Sequence, residues 1–194
     1  MHIAKKGLRV LGIAESFSSR STSLLAGVVM RKDLRIDGVA VTGVTVGGMD
    51  ATEGVLALVR DLDRKDINCI FLGGCIIAWY NVIDPEEVLH RTGLPVVVIT
   101  YRKSEGIRDK IEGIFPGDRH RLSCYDSLEK PVPVTLPSGH MVHLRAVGIG
   151  LPDATRLCMD FTFDGRLPEP VRVARLVARA VMRSGPAGES RNPA

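Results

Sequence analysis

Two acidic residues stand where the sequence could build a metal site for phosphate chemistry. Glu15 ends the apolar stretch LRVLGIAE, and Asp50 follows a Gly-Gly-Met step that closes a later apolar stretch. If these stretches are strands of one sheet, the two carboxylates converge on one edge of it. Carboxylate oxygens are the ligands that hard divalent cations prefer, and such cations activate water for phosphodiester hydrolysis. We therefore predict Glu15 and Asp50 as catalytic residues and as ligands of Mg²⁺ or Mn²⁺.

Other acids could supplement this pair. Glu53 and Asp84 are the nearest in the predicted arrangement, and we predict Asp84 as a third metal ligand. Asp50 and Asp84 each have a structural alternative, because each precedes a predicted helix and an aspartate there accepts hydrogen bonds from backbone N–H groups. Glu15 has the alternative of a solvated acid beside a turn. The sequence leaves these alternatives open.

Trp79, Tyr80 and Asn81 form a second group, directly after a long apolar stretch. An aromatic ring can stack on a base while an amide hydrogen-bonds to the base edge. We therefore predict all three as nucleic-acid-binding residues. The alternative is that they pack under a neighbouring loop, as a bulky apolar ring in a small domain commonly does.

The net charge of +4 is concentrated near the C-terminus. Residues 1–164 contain 20 Lys and Arg against 20 Asp and Glu, so the excess lies in the last thirty residues. There Arg172, Arg175, Arg179 and Arg183 recur at steps of three, four and four, which lines up their guanidiniums on one helix face. Stacked like charges oppose helix formation unless an anion offsets them, so we predict Arg172, Arg175 and Arg179 as nucleic-acid contacts. A solvated face of a core-packing helix is the alternative.

The elements that must position these residues are three antiparallel strands, a helix, a buried strand, a helix and another buried strand. The predicted strands cover residues 8–15, 23–31, 35–46, 67–77, 95–101, 131–136 and 140–147, and the predicted helices cover 51–64, 85–92, 104–115, 153–162 and the arginine-bearing segment. This is the order of a ribonuclease H-like α/β fold, a mixed sheet flanked by helices, rather than the alternation of a Rossmann fold. Gly47-Gly48 and Gly73-Gly74 complete neither GxGxxG nor a P-loop, so we predict backbone roles for them.

Composition limits the class of protein. The 194 residues, 45% of them apolar, suffice for one domain, which we predict over residues 1–183, with a disordered tail over 184–194. No apolar run approaches the roughly 20 residues that span a bilayer, so we expect a cytoplasmic protein without a membrane partner. The four cysteines form no CxxC pair, which favours buried, reduced thiols.

Four segments of the sequence resemble one archaeal family. They are VLGIAESF, VTVGGMDAT, IFLGGCIIAWYNVID and PEPVRVARLVARA, and the resemblance runs from about Lys5 to about Arg183. The family is domain of unknown function 99, also called endonuclease dU, and it is distantly similar to endonuclease V, a metal-dependent nuclease that cuts beside deaminated bases. The resemblance implies an endonuclease V-like, ribonuclease H-like fold and a nuclease that responds to deoxyuridine in DNA.

Transfer of the endonuclease V metal site to this sequence leaves two acid positions without an acid. The Gly-hydrophobic-Asp motif of the first strand falls on Gly12-Ile13-Ala14, and the Asp-Gly that ends the central strand falls on Gly73-Gly74. The acid at the helix start matches Asp50, and the histidine near the last helix falls on Arg175. Successive strand residues face opposite sides, so Glu15 replaces the acid missing at Ala14 only if the strand bulges or ends there, or if its longer side chain swings round.

Two classes of function follow from these residues. The first is a metal-dependent endonuclease that acts on nucleic acid, with DNA repair at deoxyuridine as its specific form. The second is a non-catalytic nucleic-acid-binding or partner-binding module with a degenerate metal site. A small-molecule hydrolase in the same cleft is a third candidate, and the sequence leaves a homo-oligomer open.

Overall fold

Three antiparallel strands begin the fold, as the sequence predicts. The computed structural model describes residues 5, 7–17, 21–101 and 107–184. Its strands are β1 Arg9–Ser16, β2 Thr22–Arg31, β3 Ile36–Thr45, β4 Cys69–Leu72, β5 Ile76–Ile77, β6 Asn81–Val82, β7 Val96–Thr100, β8 Val132–Thr135 and β9 Met141–Val147. Its helices are α1 Ala51–Leu62, α2 Pro85–Thr92, α3 Ile107–Ile114, α4 Arg119–Asp126, α5 Leu151–Asp160 and α6 Glu169–Ser184.

Seven of these strands form one mixed sheet, in the order β3-β2-β1-β4-β7-β9-β8. Strand β2 is antiparallel to β1 and β3, whereas β4 runs parallel to both β1 and β7. Strand β9 is antiparallel to β7 and forms a hairpin with β8. Strands β1, β3, β4 and β7 therefore run in the same direction, and their C-terminal ends meet at one edge of the sheet. This edge is where the predicted site residues gather.

Alternation along β1 divides the core between the two faces of the sheet. Val10 and Ala14 point toward α5 and α6, whereas Leu11 and Ile13 point toward α1 and α2, and all four are buried. Because a strand has a period of two, Glu15 belongs to the face of Leu11 and Ile13. The pairing of β1 with β2 continues through Ser16 without a bulge, so this side is fixed by register.

Gly12 lets helix α6 lie directly on β1. A Cβ at Gly12 would be 2.3 Å from the carbonyl carbon of Pro170 and 2.5 Å from its Cβ, which leaves no room for any side chain. One turn of α6 beyond this contact carries Arg175 to the edge of the sheet where β1 and β4 end. The glycine in the first strand thus sets the position of the basic helix.

Two segments differ from the sequence-based prediction. The apolar run 67–77 is not one strand: β4 ends at Leu72, and the chain turns away at Gly74, whose φ is +129°, into the two-residue pair of β5 and β6. Helix α4 was not predicted because its sequence, RHRLSCYD, is polar and has little apolar periodicity. Of the tail predicted over residues 184–194, Ser184 is the last residue of α6, and residues 185–194 lie outside the described residues.

The prediction of buried cysteines is confirmed for three of the four. Cys69, Cys75 and Cys158 are buried and Cys124 is half-buried, and none forms a disulfide. Among the described residues, no helix is both long and apolar enough to cross a bilayer.

Candidate nucleic-acid cleft

A cleft opens at the sheet edge where β1, β4 and β7 end. Its deeper part has a volume of about 140 Å³, and a second part of about 260 Å³ continues from it past the end of β7. Both parts share the Gly73-Gly74 backbone, Tyr101 and Arg175. The cleft therefore combines open backbone, an aromatic ring and a guanidinium in one place.

Ala14 and Gly73 lie side by side on the floor of this cleft. A Cβ at position 73 would be 3.7 Å from the Cβ of Ala14, since β1 and β4 are adjacent parallel strands. Two carboxylates at these positions could share one cation. Ala14 has a methyl group there and Gly73 has only a hydrogen. The two acids expected from the resemblance to endonuclease V are therefore absent, although the location would suit them.

Glu15 lines the cleft but faces the other side of β1 from Ala14. Its carboxylate accepts a hydrogen bond of 2.7 Å from the Ser23 hydroxyl on β2, and Ser23 is fully buried. Ser23 Oγ also lies 3.0 Å from the carbonyl oxygen of Ser16. Glu15 is therefore held at the strand end toward β2, and it does not replace the missing acid at Ala14.

Asp50 is part of a hydrogen-bond network that fastens the β3–α1 turn. Its carboxylate accepts hydrogen bonds from the Thr45 N–H at 3.0 and 3.1 Å, from the Thr45 hydroxyl at 2.8 Å and from the Asn81 amide at 2.6 Å. Burial raises the pKa of Asp50, but these hydrogen bonds outweigh it, and the pKa lies below its ordinary value of 3.8. Asp50 does not cap α1 through its side chain, so the predicted capping alternative is wrong in its detail.

Asp84 caps α2, which is the alternative to metal binding that the sequence left open. Its carboxylate accepts hydrogen bonds from the N–H groups of Glu86 at 2.9 Å and Glu87 at 3.1 Å. Glu53 is exposed and forms an ion pair with Arg91. Both acids are thus engaged in local structure.

The described acids do not form the predicted metal site. Each acid is instead engaged by a different partner: Asp50 is hydrogen-bonded to Thr45 of β3, Glu15 to Ser23 of β2, and Asp84 to the first N–H groups of α2. Within the described ranges, no group of three or more His, Cys, Asp or Glu side chains could hold a metal ion. The cleft floor offers no oxygen ligand at positions 14 and 73, and the nearby Arg175 adds positive charge. These residues do not fit Mg²⁺ or Mn²⁺ in the arrangement that we predicted.

The predicted arginine face of α6 divides into different roles. Arg175 lines the cleft, with its guanidinium carbon 5.7 Å from the Tyr101 ring centroid. Arg172 is paired with Glu169 at 2.6 Å, and that hydrogen bond raises the pKa of Arg172. Arg179 and Arg183 are exposed on the same helix. Of the predicted contacts on this helix, Arg175 is the one that the fold brings to the cleft.

Arg145 is a cleft residue that the sequence did not identify. It lies on β9, pairs with Val98 of β7 in the sheet register, and lines the outer part of the cleft together with Arg175. Its guanidinium donates to the backbone oxygen of Glu129. Among the described residues, neither Arg145 nor Arg175 is paired with a carboxylate. No local pattern marks Arg145, because its place depends on the long-range pairing of β9 with β7.

The Trp79, Tyr80 and Asn81 group separates into exposed and structural members. Trp79 is 52% exposed, whereas Asn81 is fully buried. The Asn81 amide donates to the Thr45 carbonyl oxygen at 2.9 Å and to Asp50, and its oxygen accepts from the Ala51 N–H at 3.0 Å. The prediction that Asn81 reads a base edge is therefore wrong, because its hydrogen-bonding groups are used within the protein.

Comparison with known proteins places these features in a family. The model of the family described as endonuclease dU matches residues 6–182. A UPF0215 protein of Pyrobaculum calidifontis is 39% identical over 176 residues, which cover 88% of this chain and 95% of that protein. These matches agree with the resemblance seen in the four sequence segments.

Solved structures share the fold. The crystal structure of a protein of unknown function from Archaeoglobus fulgidus is 28% identical, with a TM-score of 0.78 over 90% of this chain and 98% of that one. Endonuclease V of Ciona intestinalis, solved with a 24mer DNA containing an inosine, is 15% identical, with a TM-score of 0.62 over 92% of this chain and 87% of that one. The predicted ribonuclease H-like, endonuclease V-like fold is thereby confirmed.

Proposed function

This chain belongs to the endonuclease dU family, and from that premise and the geometry of its cleft we propose that it binds a nucleic-acid strand without hydrolysing it through bound metal ions. The observation that carries the proposal is the pair of positions at the cleft floor. Carboxylates at positions 14 and 73 would be close enough to share a cation, but Ala14 and Gly73 have none. The chain has the nuclease-like fold and lacks the donor set for metal-assisted hydrolysis at this location.

The chemistry of the cleft suits a phosphodiester backbone. Arg145 and Arg175 present guanidiniums that bind phosphate oxygens with two parallel hydrogen bonds. Gly73 is exposed and has no side chain, so a strand can approach the protein backbone closely at this position. Tyr101 adds an exposed ring for a sugar or a base. The endonuclease V of Ciona intestinalis, which shares the fold, was solved in complex with DNA, and this supports DNA as the partner.

Metal-dependent cleavage at deoxyuridine is the competing candidate. The name of the family favours it, and so does the position of Glu15 in the cleft. A single carboxylate and phosphate oxygens of the substrate could complete a magnesium shell. The two candidates differ in one measurable property, which is the response to divalent metal.

Binding and cleavage should be measured on the same strands. End-labelled single strands and duplexes carry one deoxyuridine, one deoxyinosine or neither, in Mg²⁺, in Mn²⁺ or in chelator. The proposal expects equal affinity with chelator and with metal, and intact strands throughout. Base-dependent nicking that Glu15→Ala abolishes would overturn it in favour of the nuclease.

The phosphate contacts are tested by salt dependence. Each removed contact to a single strand should reduce the log–log salt slope by about 0.7. Arg145→Ala and Arg175→Ala should each show this reduction. Arg35→Ala is the matched control, because Arg35 is 75% exposed in the turn between β2 and β3, at the opposite edge of the sheet. Equal slopes for all three variants would contradict the assignment of the cleft.

A further inference from the structure

The residues at the tip of the β5–β6 hairpin have backbone dihedral angles that residues of their types rarely adopt. Ala78, Trp79 and Tyr80 have φ angles of +39°, +60° and +63°, in the left-handed region. Such angles are ordinary for glycine and uncommon for bulky residues, and strained backbone of this kind persists only where the surrounding structure enforces it. A hairpin that served only as a connection would be better built with Gly or Asn at these positions.

The buried guanidinium of Arg121 enforces this turn. Arg121 is 3% exposed and donates to the carbonyl oxygens of Gly47 at 2.8 Å, Gly48 at 3.0 Å and Tyr80. Its charge is balanced by Asp118 at 3.0 Å. The turn is further tied to the β3–α1 loop, because the Gly47 N–H donates to the Ala78 carbonyl oxygen at 2.7 Å. The hairpin tip is thus fixed in place from two sides.

A row of aromatic rings fixes the orientation of Trp79. The Phe115 ring stacks on Arg121 at 3.8 Å, Tyr80 meets Phe115 edge to face with centroids 6.4 Å apart, and Trp79 meets Tyr80 edge to face at 5.8 Å. Even so, 52% of the surface of Trp79, the single tryptophan of the chain, remains exposed. The structure therefore holds a large aromatic surface rigidly and leaves it open to solvent.

The hairpin connects this ring to the cleft. Ile76 and Ile77 line the deeper part of the cleft, and Trp79 follows Ile77 by two residues, with its ring beside Gly47 in the β3–α1 loop. Even a fully extended chain of two residues spans only about 7 Å, and the left-handed turn at Ala78 brings Trp79 closer to Ile77 than that. Stacked nucleotides rise about 3.4 Å each, so Trp79 lies within reach of a base two or three nucleotides from a phosphate in the cleft.

We propose that Trp79 is a base-stacking site that binds an unpaired base of a nucleic-acid strand held in the cleft, and that Arg121 is the positioning residue that maintains it. This inference rests on the proposed function, since it needs a bound strand. The occupant is a base because its flat π-face matches a rigid, exposed indole ring, and such stacking is tolerant of sequence. An unpaired base is required because a paired one is already stacked within the duplex.

Intrinsic fluorescence tests the inference directly, because Trp79 is the only tryptophan. The wild-type protein is titrated in chelator with single-stranded oligothymidylate and with a strand of the same length made of abasic sugar-phosphate. Oligothymidylate should quench and shift the emission at saturation, whereas the abasic strand should bind without this change. Binding of oligothymidylate with unchanged emission overturns the stacking site and leaves the proposed function standing.

Affinity measured by the anisotropy of labelled strands gives the second readout. Trp79→Ala should weaken oligothymidylate binding on the order of tenfold and leave abasic-strand binding and the salt slope unchanged, because a stacking contact holds no phosphate. Trp79→Phe should restore part of the loss. Phe163→Ala, which removes an 81% exposed ring from the α5–α6 connection, is the matched control and should have no effect.

The remaining outcomes separate the two proposals. Equal weakening of both strands by Trp79→Ala would assign Trp79 a structural role and overturn the stacking site. Reduced salt slopes for the Arg145 and Arg175 variants together with an unaffected Trp79→Ala variant would keep the cleft and reject Trp79. Absence of binding by the wild-type protein to either strand would overturn the proposed function and this inference together.

Discussion

Replacement of Asp50 by alanine distinguishes a structural role of this residue from a role as a metal ligand. In the structure its carboxylate accepts hydrogen bonds from three donors, the N–H and the hydroxyl of Thr45 and the amide of Asn81. A hydrogen bond to a charged group contributes about 1.5–3 kcal/mol, and less where water can replace the acceptor. Thr45 is exposed, so water compensates there, whereas the buried amide of Asn81 loses a partner. We expect Asp50→Ala to lower the free energy of unfolding by about 2–3 kcal/mol.

The assay is equilibrium unfolding in urea, supported by thermal melting. For a domain of this size the expected loss corresponds to a decrease in Tm of about 5–10 °C. Asp50→Asn retains one acceptor oxygen and should lose about half as much. Asp61→Ala is the matched control, since Asp61 is an exposed acid on the same helix, α1. An acid held for a metal ion is crowded with like charge, and its removal typically leaves stability unchanged or raises it. A loss below about 0.5 kcal/mol for Asp50→Ala, as for an ordinary surface change, would refute the structural role.

The pH dependence of stability gives an independent test of the structural role of Asp50. The pKa of Asp50 in the folded protein lies below its ordinary value of 3.8, because the hydrogen bonds outweigh the effect of burial. A lowered folded-state pKa stabilises the protein above the unfolded value, and this contribution is lost as the pH falls through the folded value. The difference in stability between wild type and Asp50→Asn should therefore be largest above pH 4 and shrink in more acidic solution. A difference that grows with acid would contradict the hydrogen-bond account.

Three further predictions use other parts of the molecule. Gly12→Ala should lower stability by about 3 kcal/mol, because its methyl group would overlap the backbone of α6, whereas Gly113→Ala, whose methyl group meets no atom within 4 Å, should not destabilise in the same melting experiment. Burial raises the pKa of Cys69 and of Cys75 to about 12, and it also raises the pKa of Cys158. At pH 8 a thiol reagent should therefore label the half-buried Cys124 first, and equal rates for all four thiols of the folded protein would refute this. Ala14→Asp combined with Gly73→Asp should create Mn²⁺ binding measurable by calorimetry, while either change alone should create much less, and a folded double variant without affinity would show that the two positions cannot share a cation.

The strands and most helices were predictable because their signals are local. The alternation in β1 and the period of α1 lie within single segments, and the Asp84-Pro85 step marks the start of α2. The break after β4 was missed because an apolar run looks the same whether it continues or turns at a glycine. Helix α4 was missed because it buries mainly the charged residue Arg121.

The candidate site was predictable only at positions where the residue type alone determines whether the side chain can bind a metal ion. The side chains of Ala14 and Gly73 contain no metal-ligating atom, so their place in the motif already argued against an intact carboxylate site. The role of Asp50 could not be derived in this way, because its buried partner, Asn81, is 31 residues away in the chain. Trp79 likewise depends on Arg121, which reaches the hairpin from α4.

The sequence by itself therefore determined the order of most elements, the basic last helix and the absence of acids at two positions. The tertiary structure decided which side of β1 Glu15 faces, which arginines line the cleft, and that Trp79 is exposed while Asn81 is buried. The physical reason is that chemical identity and periodicity are properties of short segments. Hydrogen-bond partners and exposure depend on which distant segments the sheet brings together, and no local pattern records them.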